Sequence, residues 1–211
     1  MDKNKKHAGK TWEKKTRIEK QTLDNYDFTG TDLNHPIFAN VNFKLCLFEK
    51  TLFQDARIYG CSFELCDFVS VDFRNTTLGA QGAIIKNCVF KKCDFSGMNF
   101  EYPHFINCVF DHCKLKKINF NDSSFDNCKF NGKIADVTFN GIYHRHKTPH
   151  KPIQKADFSE AIFGDFVGFE DCDLSTSVPP KGTSFEKILY VVDVNDPKHK
   201  STGTKDRIVI K

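Results

Sequence analysis

Every fifth residue from Leu23 is large and apolar: Leu23, Phe28, Leu33, Phe38, Phe43, Phe48, Phe53, Ile58, Phe63, Phe68, Phe73 and Leu78. The phase slips by two residues between Gly79 and Ile84, then resumes as Ile85, Phe90, Phe95, Phe100, Phe105, Phe110, Leu115, Phe120, Phe125 and Phe130. Phe, Leu and Ile fill 46 of 211 positions, so this run would arise by accident with a probability on the order of 10⁻¹⁵. Two residues before each large one stands a mostly small one, among them Val41, Cys46, Thr51, Ala56, Cys61, Cys66, Cys88, Cys93, Cys108, Cys113 and Cys128.

A helix would smear a period of five around its circumference, and a flat strand would send alternate large residues to opposite faces. The period is satisfied when each five-residue unit forms one side of a squared coil, with the large and the small residue turned inward. Four units close a turn of about twenty residues, and turns stack at about the 4.8 Å strand spacing. Residues twenty apart then form files, predicting a core of Phe28/Phe48/Phe68, Phe53/Phe73 with Leu33, Phe105/Phe125 with Ile85, and Phe90/Phe110/Phe130.

Units such as CDFVS (66–70), VDFRN (71–75), CDFSG (93–97) and ADFSE (156–160) resemble the pentapeptide-repeat family. The resemblance spans about residues 21–175 and implies an all-β, right-handed quadrilateral β-helix of about five to seven coils with non-repeat ends. It departs from the family pattern at Pro36 and Pro103, which occupy the small inward position. Proline donates no backbone hydrogen bond, so those coils are expected to be loosened or turned.

The domain organisation expected is a basic cap or arm over residues 1–20, a solenoid over 21–178 with a register shift at 79–84 and a loop at 141–152, and a C-terminal cap over 179–211. The first segment reads as a partly helical cap with Trp12 and Ile18 as docking residues. In the last, ILYVVDV (188–194) and RIVI (207–210) are rich in β-branched residues and read as a hairpin over the final coil, or an edge through which a homodimer forms. Monomer and homodimer both stay open.

The nine cysteines all lie two residues before a large apolar one, never at the two-to-four-residue gaps of a zinc knuckle, and read as compact inward filler. His144, His146 and His150 sit among Lys, Arg and Pro with no adjacent Cys or carboxylate, and read as loop histidines. No metal or cofactor is expected.

Hydrophobic residues make up 39%, charged residues 27%, and the net charge is +4, which points to a globular domain rather than disorder. No apolar run reaches membrane-spanning length and the first twenty residues lack a secretory apolar stretch, so no membrane association and a cytoplasmic location are expected. Residues 1–20 carry a net +5, residues 21–83 a net −4 and residues 84–140 a net +2. Asp27, Glu49 and Asp67 are expected on one face and Asp32, Asp55 and Asp72 on the next, forming a candidate interaction surface. Lys91, Lys92, Lys114, Lys116 and Lys117 gather near one edge.

No nucleophile–base pattern, phosphate loop or HExxH motif appears, so enzymatic activity is not expected. The first reading of function is a rigid protein–protein interaction scaffold. The resemblance supplies an alternative: quinolone-resistance and microcin-immunity members act on type II topoisomerases such as DNA gyrase by imitating DNA. A solenoid of this length replaces duplex with roughly 15 negative charges, whereas residues 21–140 hold 14 acidic and 12 basic side chains. Direct nucleic-acid binding through the basic first segment lacks interleaved aromatics apart from Trp12.

Overall fold

Two residues after almost every inward side chain the backbone turns left-handed, at Asn25, Gly30, Asn40, Leu45, Lys50, Asp55, Gly60, Leu65, Ser70 and Asn75, and again from Asn87 onward. Three extended residues followed by one left-handed residue make a straight side and a corner. The repetition of this unit is the fold. The computed structural model describes residues 5–98, 100, 102–121, 123–140, 153–170, 172–192 and 207–210. They form a nearly all-β solenoid of about six turns.

Four ladders run its length. The first side is a seven-stranded parallel sheet of Thr22–Asp24, Asn42–Lys44, Ser62–Glu64, Ile84–Lys86, His104–Ile106, Ser124–Asp126 and Ile153–Gln154. The second joins Lys5–Lys6, Tyr26–Asp27, Leu47–Glu49, Asp67–Val69, Val89–Lys91, Val109–Asp111 and the start of Lys129–Asn140. The third is tied by single bridges through Thr11, Asp32, Leu52, Asp72, Asp94 and Lys114. The fourth begins with Arg17–Glu19, Ile37–Ala39 and Arg57–Tyr59.

The inward rings stack in files. Phe28, Phe48, Phe68, Phe90, Phe110, Phe130 and Phe158 form one file with neighbouring centroids 4.8 to 5.1 Å apart. Phe43 stacks on Phe63 and Phe105 on Phe125, while Phe53, Phe73 and Phe95 follow one another on the third side. All of these are buried. Offset stacks and edge contacts between neighbouring files each add about 0.5 to 1.5 kcal/mol beyond burial.

The two-residue slip leaves the files intact. The pairing step grows from 20 at Leu52↔Asp72 to 21 at Tyr59↔Ala80 and 22 at Ser62↔Ile84, so the extra residues are absorbed in one corner. Gly79 (φ +98°) lies there, and a Cβ on it would come 2.7 Å from the Pro103 ring. Pro36 does not break its ladder either: Ile37 N–H donates to Thr16 O and Arg57 N–H to Pro36 O. The turn before it changes instead, with Asn34 and His35 both at positive φ. Further on the step falls to 19 between Leu115–Asn121 and the end of Lys129–Asn140. It then rises to 28 at Phe125↔Ile153 and 30 at Phe139↔Phe169, across residues 141–152. The His144/His146/His150 loop lies outside the described residues.

The ends differ from expectation at one side. Residues 5–19, expected as a partly helical cap, form a coil of their own: Lys5–Lys6 pairs with Tyr26–Asp27 and Arg17–Glu19 with Ile37–Ala39. Its inward residues are Trp12 and Ile18 packed against the core, with His7 stacked on Tyr26 and Phe28 at 5.2 and 5.5 Å. At the other end Leu189–Val192 and Arg207–Ile210 pair as an antiparallel hairpin, which joins Val167–Glu170.

Eight cysteines are buried and Cys172 is partly so, all with free thiols. Cys46, Cys66, Cys88, Cys108 and Cys128 form one file. Each donates to a carbonyl of the preceding coil, Leu23 O for Cys46 (3.2 Å) and Ile85 O for Cys108 (3.3 Å). A thiolate could not donate these bonds and would face carbonyl oxygens, so the file is one of neutral thiols. Burial pushes the Cys61 and Cys128 thiols up.

Candidate functional site

The Asp of the repeat unit has a structural task. Asp27, Asp32, Asp72, Asp94 and Asp157 each accept, through Oδ1, the backbone N–H of the residue two positions on, at 2.8 to 3.0 Å. This closes a small ring at the side's centre and explains why a short carboxylate stands beside the inward residue. Three of the six candidate carboxylates are therefore turn acceptors as well as surface charges.

The structure puts Asp27 and Asp67 in one file of the second side, with Glu49 two residues along the intervening strand. Asp32 and Asp72 share a file of the third side with Leu52 between them. Asp55 lies on the following corner, where its carboxylate meets His35 Nδ1 at 3.2 Å. Asp72 is bound by the Arg74 guanidinium at 2.6 Å, which holds its carboxyl below the usual range. The six are thus brought onto two adjoining sides, but Asp72 carries a cationic partner and Asp55 an imidazole neighbour.

The third side shows a pattern that the sequence order hides. Its central file runs Asp32, Leu52, Asp72, Asp94, Lys114, and the 19-residue register carries it to Lys133 and then to Ile162. Lys116 flanks this file and Lys117 and Asp136 lie on its corner. From the level of Asp32 to that of Asp94 the N-terminal half carries Asp32, Asp55, Asp72, Asp94 and Arg74, a net −3. The C-terminal half, with Lys114, Lys116, Lys117, Lys133, Asp136 and Asp165, has a net +2. The halves meet where Lys114 Nζ binds Asp94 at 3.0 Å. Burial opposes the charge on Asp94, yet the Ser96 N–H and hydroxyl and the Lys114 ammonium outweigh it and keep the carboxyl below its ordinary range.

Large apolar side chains stand at both ends of this side. Leu52 is 52% exposed, Ile162 66% and Phe166 71%, the last at a left-handed corner with φ +58°. An exposed aromatic in that conformation combines two costs. A groove of about 550 Å³ runs beside Leu52, Gln54, Asp55, Arg74, Asn75 and Gly97. A smaller hollow of about 270 Å³ lies among Lys114, Lys116 and Lys133 over Cys113 and Leu115.

Of the five lysines expected at one edge, Lys91 belongs to the second side and Lys92 to the corner after it, while Lys114, Lys116 and Lys117 occupy the third side and its corner. On the corner after the first side, Asn127 Nδ2 donates to Asn107 Oδ1 and Asn107 Nδ2 to Asn87 Oδ1, at 2.9 and 3.0 Å. Among the described residues no three His, Cys, Asp or Glu side chains are placed to hold a metal, and no helix is long and apolar enough to cross a membrane.

Residues 27–64 match the family description "Pentapeptide repeats (8 copies)" and residues 83–148 match "Pentapeptide repeat region". With the five-residue corners and stacked files, the chain belongs to the pentapeptide-repeat family. Full-length QnrB1, a plasmid-mediated fluoroquinolone resistance protein, is similar at 15% identity over 83% of this chain and 94% of its own, with a TM-score of 0.42. HetL of the cyanobacterium Nostoc sp. strain PCC 7120, a pentapeptide repeat protein involved in heterocyst differentiation regulation, is similar at 12% identity over 84% and 87%, with a TM-score of 0.37. No curated protein matches the chain.

Proposed function

We propose that the chain is a non-enzymatic protein-interaction scaffold whose third side is its recognition surface. One observation carries this reading: a flat side with four carboxylates in one half, four lysines in the other, exposed Leu52 and Ile162 beside grooves, and exposed Phe166 on its corner. Side chains at a fixed pitch on a rigid rod lose little freedom on binding, which favours recognition. A partner that fits offers both an acidic and a basic stretch.

Imitation of DNA on a type II topoisomerase calls for an anionic surface without interruption. Arg74 on Asp72, His35 beside Asp55 and Lys114 on Asp94 argue against such use, and this reading expects no effect of the protein in a gyrase supercoiling assay. The direct test is photo-crosslinking in the source cell from probes placed at Gln54 or Lys116 on the third side and at Ser62 or His104 on the first. Defined adducts from the third side alone support the proposal. Adducts from neither side, or equally from both, contradict it.

A further inference from the structure

The polarity of the third side has a consequence for a second copy of the same chain. We propose that two copies associate side by side through this surface, with their rods antiparallel about a twofold axis that crosses the side between Asp94 and Lys114. The proposal rests on the scaffold reading and names one partner of that surface.

A twofold lying in the plane between two rods keeps each file opposite its own equivalent and reverses the order of the coils. With the axis at this level, Asp94 of one copy faces Lys114 of the other, and Asp72 faces Lys133. The next level brings Leu52 against Ile162, the two exposed aliphatic side chains of the central file. No other level does all three. An axis through Asp94 sets that carboxylate against itself, and one through Lys114 does the same for the lysine. At the axis the two internal Asp94–Lys114 pairs meet head to tail, giving a cluster of four alternating charges. On the corner, Phe166 reaches the level of Asp55, where the groove beside Leu52, Asp55 and Asn75 has room for a ring.

Parallel rods would instead place carboxylates against carboxylates and lysines against lysines. The opposite net charges of the two halves, −3 and +2, therefore select the antiparallel arrangement. Six levels at about 4.8 Å and a width of about 15 Å give an interface below the roughly 1,200 Å² of stable complexes. The dimer is accordingly weak, with a dissociation constant in the micromolar range or above, and sensitive to salt because its charges lie within about one Debye length of solvent.

The test uses the full chain carrying Cys172→Ser, Leu52→Cys and Ile162→Cys. Within one rod these positions are five levels apart, about 24 Å, too far for an internal disulfide. Mild oxidation at low salt should give a covalent dimer whose peptide map shows a 52–162 linkage. Adding Lys133→Glu, an exposed position, should reduce that product about tenfold, as should 1 M salt. Sedimentation equilibrium of the unmodified chain should show a matching salt-sensitive dimer. A chain that stays monomeric at 200 µM and low salt overturns the inference, as do 52–52 or 162–162 linkages, or a dimer indifferent to Lys133→Glu and salt. Those outcomes leave the scaffold reading to the face-selective crosslinking.

Discussion

Phe68 and Phe90 stack face to face, 4.8 Å between centroids and 8° between planes, although 22 residues rather than 20 separate them along the chain. The three coils before the slip, which supply Phe28, Phe48 and Phe68, share one continuous core file with those after it. Phe90 also meets Phe95 and Phe105 edge-on. Truncation to Ala leaves a cavity at the centre of the rod, and Phe90→Ala should cost about 3 to 5 kcal/mol in a denaturant titration. A loss under about 1 kcal/mol would mean that the file is not packed as described.

Corner glycines differ in what surrounds them. Gly97 (φ +71°) has nothing within 4 Å of an added Cβ, whereas Gly79 (φ +98°) has the Pro103 ring at 2.7 Å. Gly97→Ala should therefore cost about 1 kcal/mol from the left-handed backbone alone. Gly79→Ala should cost at least about 2 kcal/mol more, because the Pro103 coil must move. Equal losses in paired thermal melts would contradict the close approach.

The asparagine ladder at Asn87, Asn107 and Asn127 is interrupted toward the N-terminus by Leu45 and Leu65, both left-handed, the second 45% exposed. Asparagine tolerates that conformation and supplies the ladder's donor and acceptor. Leu45→Asn with Leu65→Asn should raise stability by about 1 kcal/mol, seen as a higher urea midpoint. A lowered midpoint would show that the leucines serve packing there.

His7 is held below its ordinary 6.5 by burial and, secondarily, by Lys10. The unfolded chain therefore binds the proton first, so stability is full above about pH 6.5 and falls as the pH drops below it. Urea midpoints at pH 7.5 and 5.5 should separate more for the wild type than for His7→Phe, which keeps a ring on Phe28. The same separation in both would remove His7 as the cause.

Inward burial of the cysteines sets their reactivity. In the folded protein a thiol reagent should modify Cys172 first and the stacked file from Cys46 to Cys128 only at the rate of opening. Rapid modification of several thiols would contradict the file.

The core was legible because one residue type recurs at one spacing: Phe28, Phe48 and Phe68 announce their file before any coordinate is known. The first coil was not, since its inward positions are His7, Trp12 and Ile18, few and chemically mixed, within a lysine-rich segment. Phe169 was missed because its partner Phe139 lies 30 residues back across residues 141–152. The third side was hidden for a related reason. Asp72, Asp94, Lys114, Lys133 and Ile162 stand in one file at steps of 22, 20, 19 and 29, so no fixed period lines them up. Individual carboxylates could be assigned to a side, but their turn bonds and cationic partners depend on the left-handed corners, which the repeat implies without locating.

The placement of every charged file depends on the register across the slip, and amide NOE spectroscopy reads that register directly. Contacts between the strands centred on Phe68 and Phe90, with Asp67 opposite Val89, are the expected result. Contacts that instead put Asp67 opposite Asn87, as an unbroken period of twenty would, would contradict the account.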